Sequence, residues 1–404
     1  IACHPMRFVH FLVAGVLSVL LLWINIAVHR APAIGSAEED EALKEQLAFL
    51  EPRVRDGLAA EMQQLFPEGR VFTYALYGLA WCGLAERLSA SDALRTHAQR
   101  EALWAYAQID SRLCWSQFPK EAAPEFGVFY AGWRNYLLAR LVASGAAPLD
   151  TSLVYAFDRQ SDSLALAFTR SDSPFLESYT GAAWPADATV AMASLVMHGQ
   201  LRGRDHSAAT ARWVAQVRER LDERGLIPHA WQPWEDRIGQ SARGSSQALM
   251  NTLLPLIDTA FAAEQFGRFR ELYFTERFGV PAVREHPIGD GSPGDVDSGP
   301  LILGFGPAAT IVGSGACRMN GDAHHAAEFE STVHGFGFST GIDRKRYVFG
   351  ALPIADLFIA WVRTMPCTTP YSGAPMFKRF HLWCGLLLLL LWSPVLLRWW
   401  RARG

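Results

Sequence analysis

Hydrophobic and polar positions follow a helical period through most of the chain from residue 70 onward, with little period-two alternation of the kind that strands show. Segments that are apolar on all sides tend to alternate with segments that carry a polar face. The first kind is typical of buried helices and the second of amphipathic helices at a surface. The predicted helices span residues 71–88, 92–109, 125–144, 187–200, 206–224, 247–266, 300–317, 324–334 and 347–363.

An inner ring of buried helices inside an outer ring of amphipathic ones would produce this alternation. We therefore predict an all-α fold, an (α/α)6 toroid of about six helical hairpins, over residues 70–365. A simple helical bundle is the alternative. No clear sequence repeat is present, which disfavours solenoid arrays. Residues 31–69 are predicted to be a linker with a leading helix, in which the acidic stretch 38–45 is solvated.

Two strongly apolar segments lie near the ends of the chain. Residues 8–28 have His10 as their only titratable group and are long enough to span a bilayer. A cleavable signal is the rival interpretation, because Ala31-Pro32-Ala33 resembles a small-residue cleavage site. Residues 382–400 contain six consecutive leucines and predict a second span, which Pro394 would kink.

The basic residues beside these segments set the predicted topology. Arg7 precedes the first span, and Arg398, Arg401 and Arg403 follow the second. Cytoplasmic flanks carry an excess of basic residues, so both termini are predicted to be cytoplasmic. Residues 1–30 would then be an anchor (or signal) and residues 366–404 a second span with its tail. The main domain would be periplasmic, tethered to the inner membrane of a bacterium.

Composition narrows the classes of function. The net charge is only −3 and no long basic run lies outside the termini, so nucleic acid is not an expected partner. The 14 Trp and 24 Phe suit a thick core, or an apolar or sugar-stacking pocket. Six scattered cysteines lack any Cys-x-x-Cys pair, so no zinc site is expected, and whether some pair as disulfides stays open. Neither a metal nor an organic cofactor is predicted.

Two aspartates are the candidate acid/base residues. Asp187 follows Trp184-Pro185 directly before an apolar helix, and Asp297 leads through Pro300 into another. Asp187 could be an N-cap only, and the loop of Asp297 could be turn chemistry or a calcium site. If both carboxylates face one cavity, they form an arrangement used for acid/base or glycosyl chemistry. Asp187 is predicted to be the principal proton-transfer residue.

Histidine and aromatic side chains complete the predicted site. His229 lies in a loop next to two tryptophans, where it would carry protons or bond to a loop carbonyl. Aromatic side chains would donate hydrogen bonds to a bound oxygen or stack on substrate, although helical aromatics are more often core. The residues predicted to contact substrate are Tyr74, Tyr130, Trp133, Tyr179, Trp184, Trp231 and Trp234.

Several segments in order resemble the linalool dehydratase-isomerase-like family of exported α/α toroid enzymes. They include TYALYGLA at residues 73–80, Tyr130-Ala-Gly-Trp133, and Asp295-Val-Asp-Ser-Gly299. The resemblance implies a cofactor-free toroid with acid/base residues around an apolar cavity between subunits of a ring-shaped oligomer. The characterised family activity is reversible water loss from, and isomerisation of, a terpene alcohol.

The sequence also departs from that family. Trp133 stands where the family pattern has a histidine, and Ser178 lies near the position of its first cysteine. Asp187 falls on the position of the second cysteine, and no residue here matches the family's N-terminal catalytic aspartate. The toroid is therefore expected to carry over more readily than the reaction.

The sequence predicts a membrane-anchored enzyme, an acid/base lyase or isomerase acting on an apolar, terpenoid-like alcohol. A glycan-processing hydrolase or lyase is one alternative, and a non-catalytic lipid- or saccharide-binding module is another. The expected partners are a small apolar or saccharide substrate, the membrane, and further copies of the chain in a homo-oligomer.

Overall fold

The computed structural model of the protein describes residues 4–146, 150, 152–295, 298–367, 369, 371 and 373–401. Helices account for most of this part of the chain. They are α1 (His4–Ala27), α2 (Ala37–Arg55), α3 (Leu58–Leu65), α4 (Gly69–Arg87), α5 (Ala93–Ile109), α6 (Arg112–Trp115), α7 (Gly127–Ala143), α8 (Ser152–Arg170), α9 (Pro185–Arg202), α10 (Ser207–Arg218), α11 (Gly244–Ile257), α12 (Thr259–Tyr273), α13 (Pro307–Met319), α14 (Ala323–Phe336), α15 (Pro353–Arg363) and α16 (Lys378–Arg401).

Six of the described helices form a closed ring. In the order α4, α7, α9, α11, α13 and α15, each helix packs on the next, and α15 packs back on α4. An outer layer of α2, α5, α8, α10, α12 and α14 covers this ring. The inner helices are buried on most sides, whereas each outer helix buries one face, which is the division that the hydrophobic pattern predicts. The predicted α/α toroid is confirmed by this ring.

All the inner helices begin at the same end of the ring. At one end, Tyr179, just before α9, donates a hydrogen bond to Glu68, which caps α4. At the other end, Arg87 in the last turn of α4 donates to the carbonyl of Arg363 in the last turn of α15. The loops that precede the inner helices therefore gather at one mouth. Between the ends, Trp133 is buried in edge-on contact with Phe72 and Trp361.

Two short antiparallel hairpins sit among the loops. The first pairs β1 (Ala230–Gln232) with β2 (Arg237–Gln240), and the second pairs β3 (Phe274–Arg277) with β4 (Val280–Val283). Both are too short to show a sustained period-two pattern in the sequence. Strand β4 joins the core through Val283, whose N–H donates to Thr310 of α13. The hairpins shape the loops and leave the helical ring intact.

Several sequence predictions are wrong in detail. The predicted helices 300–317 and 347–363 begin only at Pro307 and Pro353, and α8 was not predicted. Residues 247–266 form parts of two helices, since α11 ends at Ile257 and α12 begins at Thr259. The break follows from Pro255, which cannot continue the backbone hydrogen bonds, and from Asp258, whose carboxylate accepts the N–H of Phe261 at 2.8 Å. The stretch 38–45, predicted to be solvated, starts an outer helix in which Glu39 is fully buried.

Glu39 is buried because it joins an ionic cluster. Arg318, in the last turn of α13, is fully buried and contacts Glu39 of α2 and Glu330 of α14. Its Nε also donates to Glu330 at 2.7 Å, and its Nη1 donates to the carbonyl of Met365 at 3.3 Å. A cation at a helix C-terminus is favourable, and the cluster ties α2 to the inner ring across 279 residues of sequence.

Helices α1 and α16 form an antiparallel pair. Trp392 donates to Ser18 at 2.9 Å, and His381 lies 2.6 Å from the amide oxygen of Asn25. Among the described residues, Phe8–Ala27 forms a helix long and apolar enough to cross a membrane. The second predicted span, 382–400, lies within α16, whose described residues do not meet the same criterion, so it stays a prediction. Both helices expose large apolar side chains along their length.

The pair attaches to the toroid near its mouth. Val28 packs against Gly335 in the last turns of α14, where a Cβ would lie 2.4 Å from a Val28 methyl. Because α14 runs back along α13 after a three-residue turn, its last turn lies beside the start of α13. Ile24, Phe377 and Phe380 complete an apolar cluster with Val28 there. The described cysteines, namely Cys82, Cys114, Cys317, Cys367 and Cys384, are free thiols.

The ionic cluster predicts a large stability loss when its cation is removed. Arg318→Leu leaves two buried carboxylates without their partner, which costs about 3–5 kcal/mol of unfolding free energy. Arg218→Leu is the matched control, since its ion pair with Glu264 is exposed and worth under about 1 kcal/mol. Urea unfolding of both variants measures the difference. Equal losses in the two variants would show that the buried cluster does not hold the ring.

Candidate functional site

Asp187 lies inside the first turn of α9 and does not precede the helix. Trp184 is the N-cap residue and Pro185 the first helical residue, a position that the fixed φ of proline favours. The Asp187 side chain is buried, and its Oδ2 accepts a hydrogen bond from the hydroxyl of Ser178 at 2.6 Å. The N-cap interpretation is therefore corrected: the carboxylate pairs with a serine from the preceding loop.

The backbone around Ser178 is held on both sides. Its N–H donates to the carbonyl of Ala182, and the neighbouring Glu177 carbonyl accepts the N–H of Val128 in α7. Gly127 sits against the Ser178 carbonyl, where an added Cβ would lie 2.3 Å from the oxygen, and its φ of +78° disfavours other residues. The serine that faces Asp187 is thus positioned by α7 as well as by its own loop.

A backbone bridge joins the loop of Asp187 to the loop of His229. Ala183 and Trp231 exchange two hydrogen bonds, with N–O distances of 3.3 and 2.9 Å. Asp187 lies four residues after this bridge, and His229 lies two residues before it. Asp187, in the first turn of α9, and His229, in the loop before β1, therefore both lie at the mouth of the ring.

His229 is nearly buried beside a guanidinium group. Its Nε2 lies 3.5 Å from Nη1 of Arg243, which caps the start of α11. Burial lowers the pKa of His229 to about 3, and the positive charge of Arg243 adds to the effect. The imidazole is therefore neutral at pH 7, a state in which it can donate a hydrogen bond to a substrate oxygen without carrying charge.

Arg243 is fixed by two carboxylates. Its Nε donates to Glu285 at 2.9 Å, and its two terminal nitrogens form a bidentate contact with Asp295. Glu285 follows β4, is fully buried, and also accepts both the N–H and the hydroxyl of Ser245. Burial raises the pKa of Glu285, while the neighbouring Arg243 opposes that shift. The result is a rigid polar cluster at the start of α11.

Sequence reasoning missed Arg243 and Glu285. Each lies in an apolar or irregular segment without a motif, and 42 residues separate them. A local signal is the glycine that follows Arg243: a Cβ at Gly244 would lie 1.9 Å from the carbonyl oxygen of Arg284. That close approach lets the cap of α11 meet the end of β4, but it is visible only once the two segments are placed together.

The predicted aromatic residues take different places. Tyr179 donates to Glu68 at 2.5 Å and meets Trp184 edge-on, so both belong to the mouth. Trp231 is buried against Phe175, whereas Trp234 is 77% exposed and covers Gly181. Deeper in the fold, Tyr130 donates to the Ile109 carbonyl, Tyr74 packs on Trp104, and Trp133 lies inside the ring.

The second predicted aspartate, Asp297, lies outside the described residues, so the expected pairing with Asp187 stays a prediction. Its neighbour Asp295 is described and binds Arg243. On the outer side of the loop before α9 lies a cleft of about 530 Å³, whose lining includes Phe175, Glu177 and Asp236.

One described group has the donor atoms for a metal, on the outer surface away from the mouth. Glu51, His97 and Glu101 each place a ligand atom within 4.8 Å of the others. Arg55 already forms an ion pair with Glu101 at 2.5 Å, and Tyr77 donates to the same carboxylate at 2.7 Å. A guanidinium thus supplies the positive charge that a metal would bring, and we read this group as an ion-pair network.

Comparison with known proteins adds a likeness of fold. Neither a family model nor a curated protein matches the sequence. A solved structure, the crystal structure of D-mannose isomerase, is similar with a TM-score of 0.45 and 8% sequence identity, over 72% of this chain and 86% of that chain. The assignment of a toroid rests on the closed ring of helices itself. The linalool dehydratase-isomerase-like family finds no support in these comparisons.

The packing around Ser178 predicts the effect of filling Gly127. Gly127→Ala should lower the unfolding free energy by about 1–3 kcal/mol, because the new Cβ collides with backbone at a positive φ. Gly267→Ala in α12 is the control, since nothing lies within 4 Å of its Cβ position and alanine favours helix by about 1 kcal/mol. Thermal or urea unfolding measures both. A neutral Gly127→Ala variant would contradict the tight fit.

The buried neutral His229 predicts a stability that falls with acid. Between pH 6.5 and about 3 the unfolded chain binds a proton at this residue and the folded chain does not. Stability from this group is therefore present above pH 6.5 and is lost as the pH falls towards 3. From pH 7 to pH 5 the loss is about 2 kcal/mol. Urea unfolding at pH 7 and at pH 5 should show this loss of unfolding free energy. In the His229→Gln variant the difference between the two pH values should be smaller by about that amount.

Proposed function

We propose that the toroid is an acid/base isomerase that moves a proton on a hydroxyl-bearing substrate at the mouth of the ring. The observation that carries this proposal is the backbone bridge between Ala183 and Trp231, which joins the loop before Asp187 to the loop of His229. Asp187, paired with Ser178, offers a carboxylate, and the adjoining loop offers the neutral His229 beside Arg243. Isomerisation through proton transfer needs both a base and a donor that stabilises the developing oxygen anion.

In the proposed reaction Asp187 takes the proton from the hydroxyl-bearing carbon to give an enediolate and returns it to the former carbonyl carbon, while the proton of the hydroxyl oxygen passes to the former carbonyl oxygen. The Ser178 hydroxyl holds the carboxylate in place through its 2.6 Å hydrogen bond. His229 donates to the substrate oxygen as a neutral imidazole, because burial and Arg243 prevent it from carrying charge. Arg243 is a positioning residue, since its donors engage Glu285 and Asp295.

An α-hydroxy carbonyl compound, as in an open-chain sugar, has the oxygen and the acidic carbon–hydrogen bond that such a site would use. Tyr179, Trp184 and the exposed Trp234 provide stacking surfaces for it. A glycan hydrolase would need Asp297 beside Asp187, because Asp295 is already held by a bidentate contact with Arg243.

A second candidate keeps the apolar alcohol as substrate, with water loss or isomerisation as the reaction. The observation that favours it is the attachment of α1 and α16 beside the mouth, through Val28 and Gly335. We propose that these two helices form a retained hairpin in the membrane with the toroid outside the cytoplasm. An apolar substrate would then enter the mouth from the bilayer.

The test uses the full chain in detergent, incubated in D2O with a panel of aldoses and ketoses and with terpene alcohols. Isomerisation by proton transfer should place deuterium on the substrate carbon, which NMR detects, and Asp187→Asn should lower the rate by about 10²–10⁴-fold. His229→Gln should lower it as well. Asp236→Asn, at the rim of the outer cleft, is the matched control and should keep full activity.

Three outcomes separate the candidates. Exchange on sugars supports the sugar isomerase, and turnover of terpene alcohols supports the second candidate. Ligand binding without exchange or turnover would favour a binding module. A folded Asp187→Asn variant with unchanged activity would show that this carboxylate is structural only.

A further inference from the structure

A cationic pocket of about 320 Å³ lies on the outer side of the loop after β4. Its lining includes Arg277, Arg284 and His286 on one side, and the loop residues Asp290, Leu301 and Leu303 on the other. The adjacent Glu285 turns to Arg243, so consecutive residues serve two different sites. The pocket is separate from the groups that the proposed reaction uses.

Arg284 is the central residue of this pocket. It is 7% exposed, and its Nε and Nη2 donate to the backbone carbonyls of His286 and Asp290, each at 3.0 Å. Among the described residues no carboxylate lies within ion-pair distance of it. A nearly buried guanidinium normally has a carboxylate or another anion as its partner. The backbone carbonyls orient this cation without neutralising it.

A second cation faces the same space. Arg277, at the end of β3, is exposed, and in the described part of the chain it too lacks a carboxylate within ion-pair distance. Burial lowers the pKa of Arg284, and the positive charge of Arg277 lowers it further. Asp290 is the one carboxylate among the lining residues, and its Oδ1 accepts the N–H and hydroxyl of Ser292. The two guanidiniums therefore outnumber the acid.

The geometry leaves one side of Arg284 open. Gly304 has a φ of +84°, and a Cβ there would lie 3.1 Å from Nη1 of Arg284. A larger residue would therefore cover the guanidinium from that side. Nη1, which donates to neither carbonyl, faces Gly304. An incoming oxygen could accept a hydrogen bond from Nη1 on that side.

The rim of the pocket is apolar and lies beside α16. Ile302 and Leu303 are more than half exposed, and Phe278, at the tip of the β3–β4 turn, is 56% exposed. Phe278 meets Trp383 of α16 edge-on at 5.7 Å. Backbone of α16 lies so close to Gly279 that a Cβ there would be 2.2 Å from the N atom of Phe380. The pocket thus combines two cations, an apolar edge and the base of the helix pair.

We propose that Arg277 and Arg284 bind a phosphate-class anion, supplied by the headgroup of an anionic phospholipid beside α16. Phosphate oxygens accept charge-assisted hydrogen bonds from guanidinium groups. The exposed apolar side chains at the rim would contact the start of the acyl chains. Free inorganic phosphate has the same headgroup chemistry but makes no use of this rim. The lipid source rests on the proposed membrane placement of α1 and α16, whereas the anion site does not.

The test uses the full chain purified in a neutral detergent. Retention of phosphatidylglycerol is measured by native mass spectrometry, with phosphatidylcholine as the comparison lipid. Arg277→Gln and Arg284→Gln should each weaken phosphatidylglycerol retention at least about tenfold, because each removes a charge-assisted hydrogen-bond donor. Arg237→Gln is the matched control with the same change in charge, since Arg237 is exposed and paired with Glu235. The proposal would be overturned if Arg277→Gln and Arg284→Gln retained as much phosphatidylglycerol as the wild type.

Two further arms separate the sources. Inorganic phosphate is titrated calorimetrically into the same protein. If phosphate binds through the two arginines and the protein shows no preference for phosphatidylglycerol, the anion site is supported and the lipid source is overturned. Flotation with vesicles of phosphatidylcholine alone tests membrane attachment independently of the pocket. If circular dichroism shows that Arg284→Gln does not fold, the test rests on Arg277→Gln. The Arg277 side chain is exposed at the end of a strand, so this variant should fold.

Discussion

One buried cation ties two outer helices to the helical ring. Arg318 stands at the end of α13 and contacts carboxylates from α2 and α14, so the first outer helix is fastened to the last part of the toroid. A neighbouring hydrogen bond from Arg87 to the Arg363 carbonyl joins the ends of α4 and α15, where the ring meets itself. These contacts lie at the C-terminal ends of the inner helices. They leave the opposite end free to be built from loops.

Because the stabilising contacts lie at one end of the ring, the other end can be formed by loops. Loops that precede parallel inner helices converge, and short backbone bridges such as Ala183–Trp231 hold them in one layer. Polar side chains there hold one another in place: Asp187 pairs with Ser178, and Arg243 with Glu285 and Asp295. A rigid ring thus carries a polar layer whose charges are fixed before any substrate arrives, which is the condition for electrostatic stabilisation.

Hydrophobic periodicity predicted the architecture because an inner helix is buried on all sides, and α4 and α7 show this directly in their sequences. It predicted Asp187 as a site candidate from a helix start beside Trp184 and Pro185. It could not predict Ser178 as the partner, because the two residues are nine positions apart and an irregular loop lies between them. Glu39 looked solvated, since an acidic stretch has no local sign of a partner 279 residues away. Arg243 and Glu285 likewise meet only through tertiary packing.

The contact between Val28 and Gly335 has a consequence for the order of biosynthesis. Residues 24–28 leave the ribosome well before Gly335 and Phe380, whose backbone and side chain surround them. The same is true of Glu39 and Arg318. The toroid therefore cannot be completed segment by segment from its N-terminus. Helices α1 and α2 reach their final contacts only after α13, α14 and α16 have emerged.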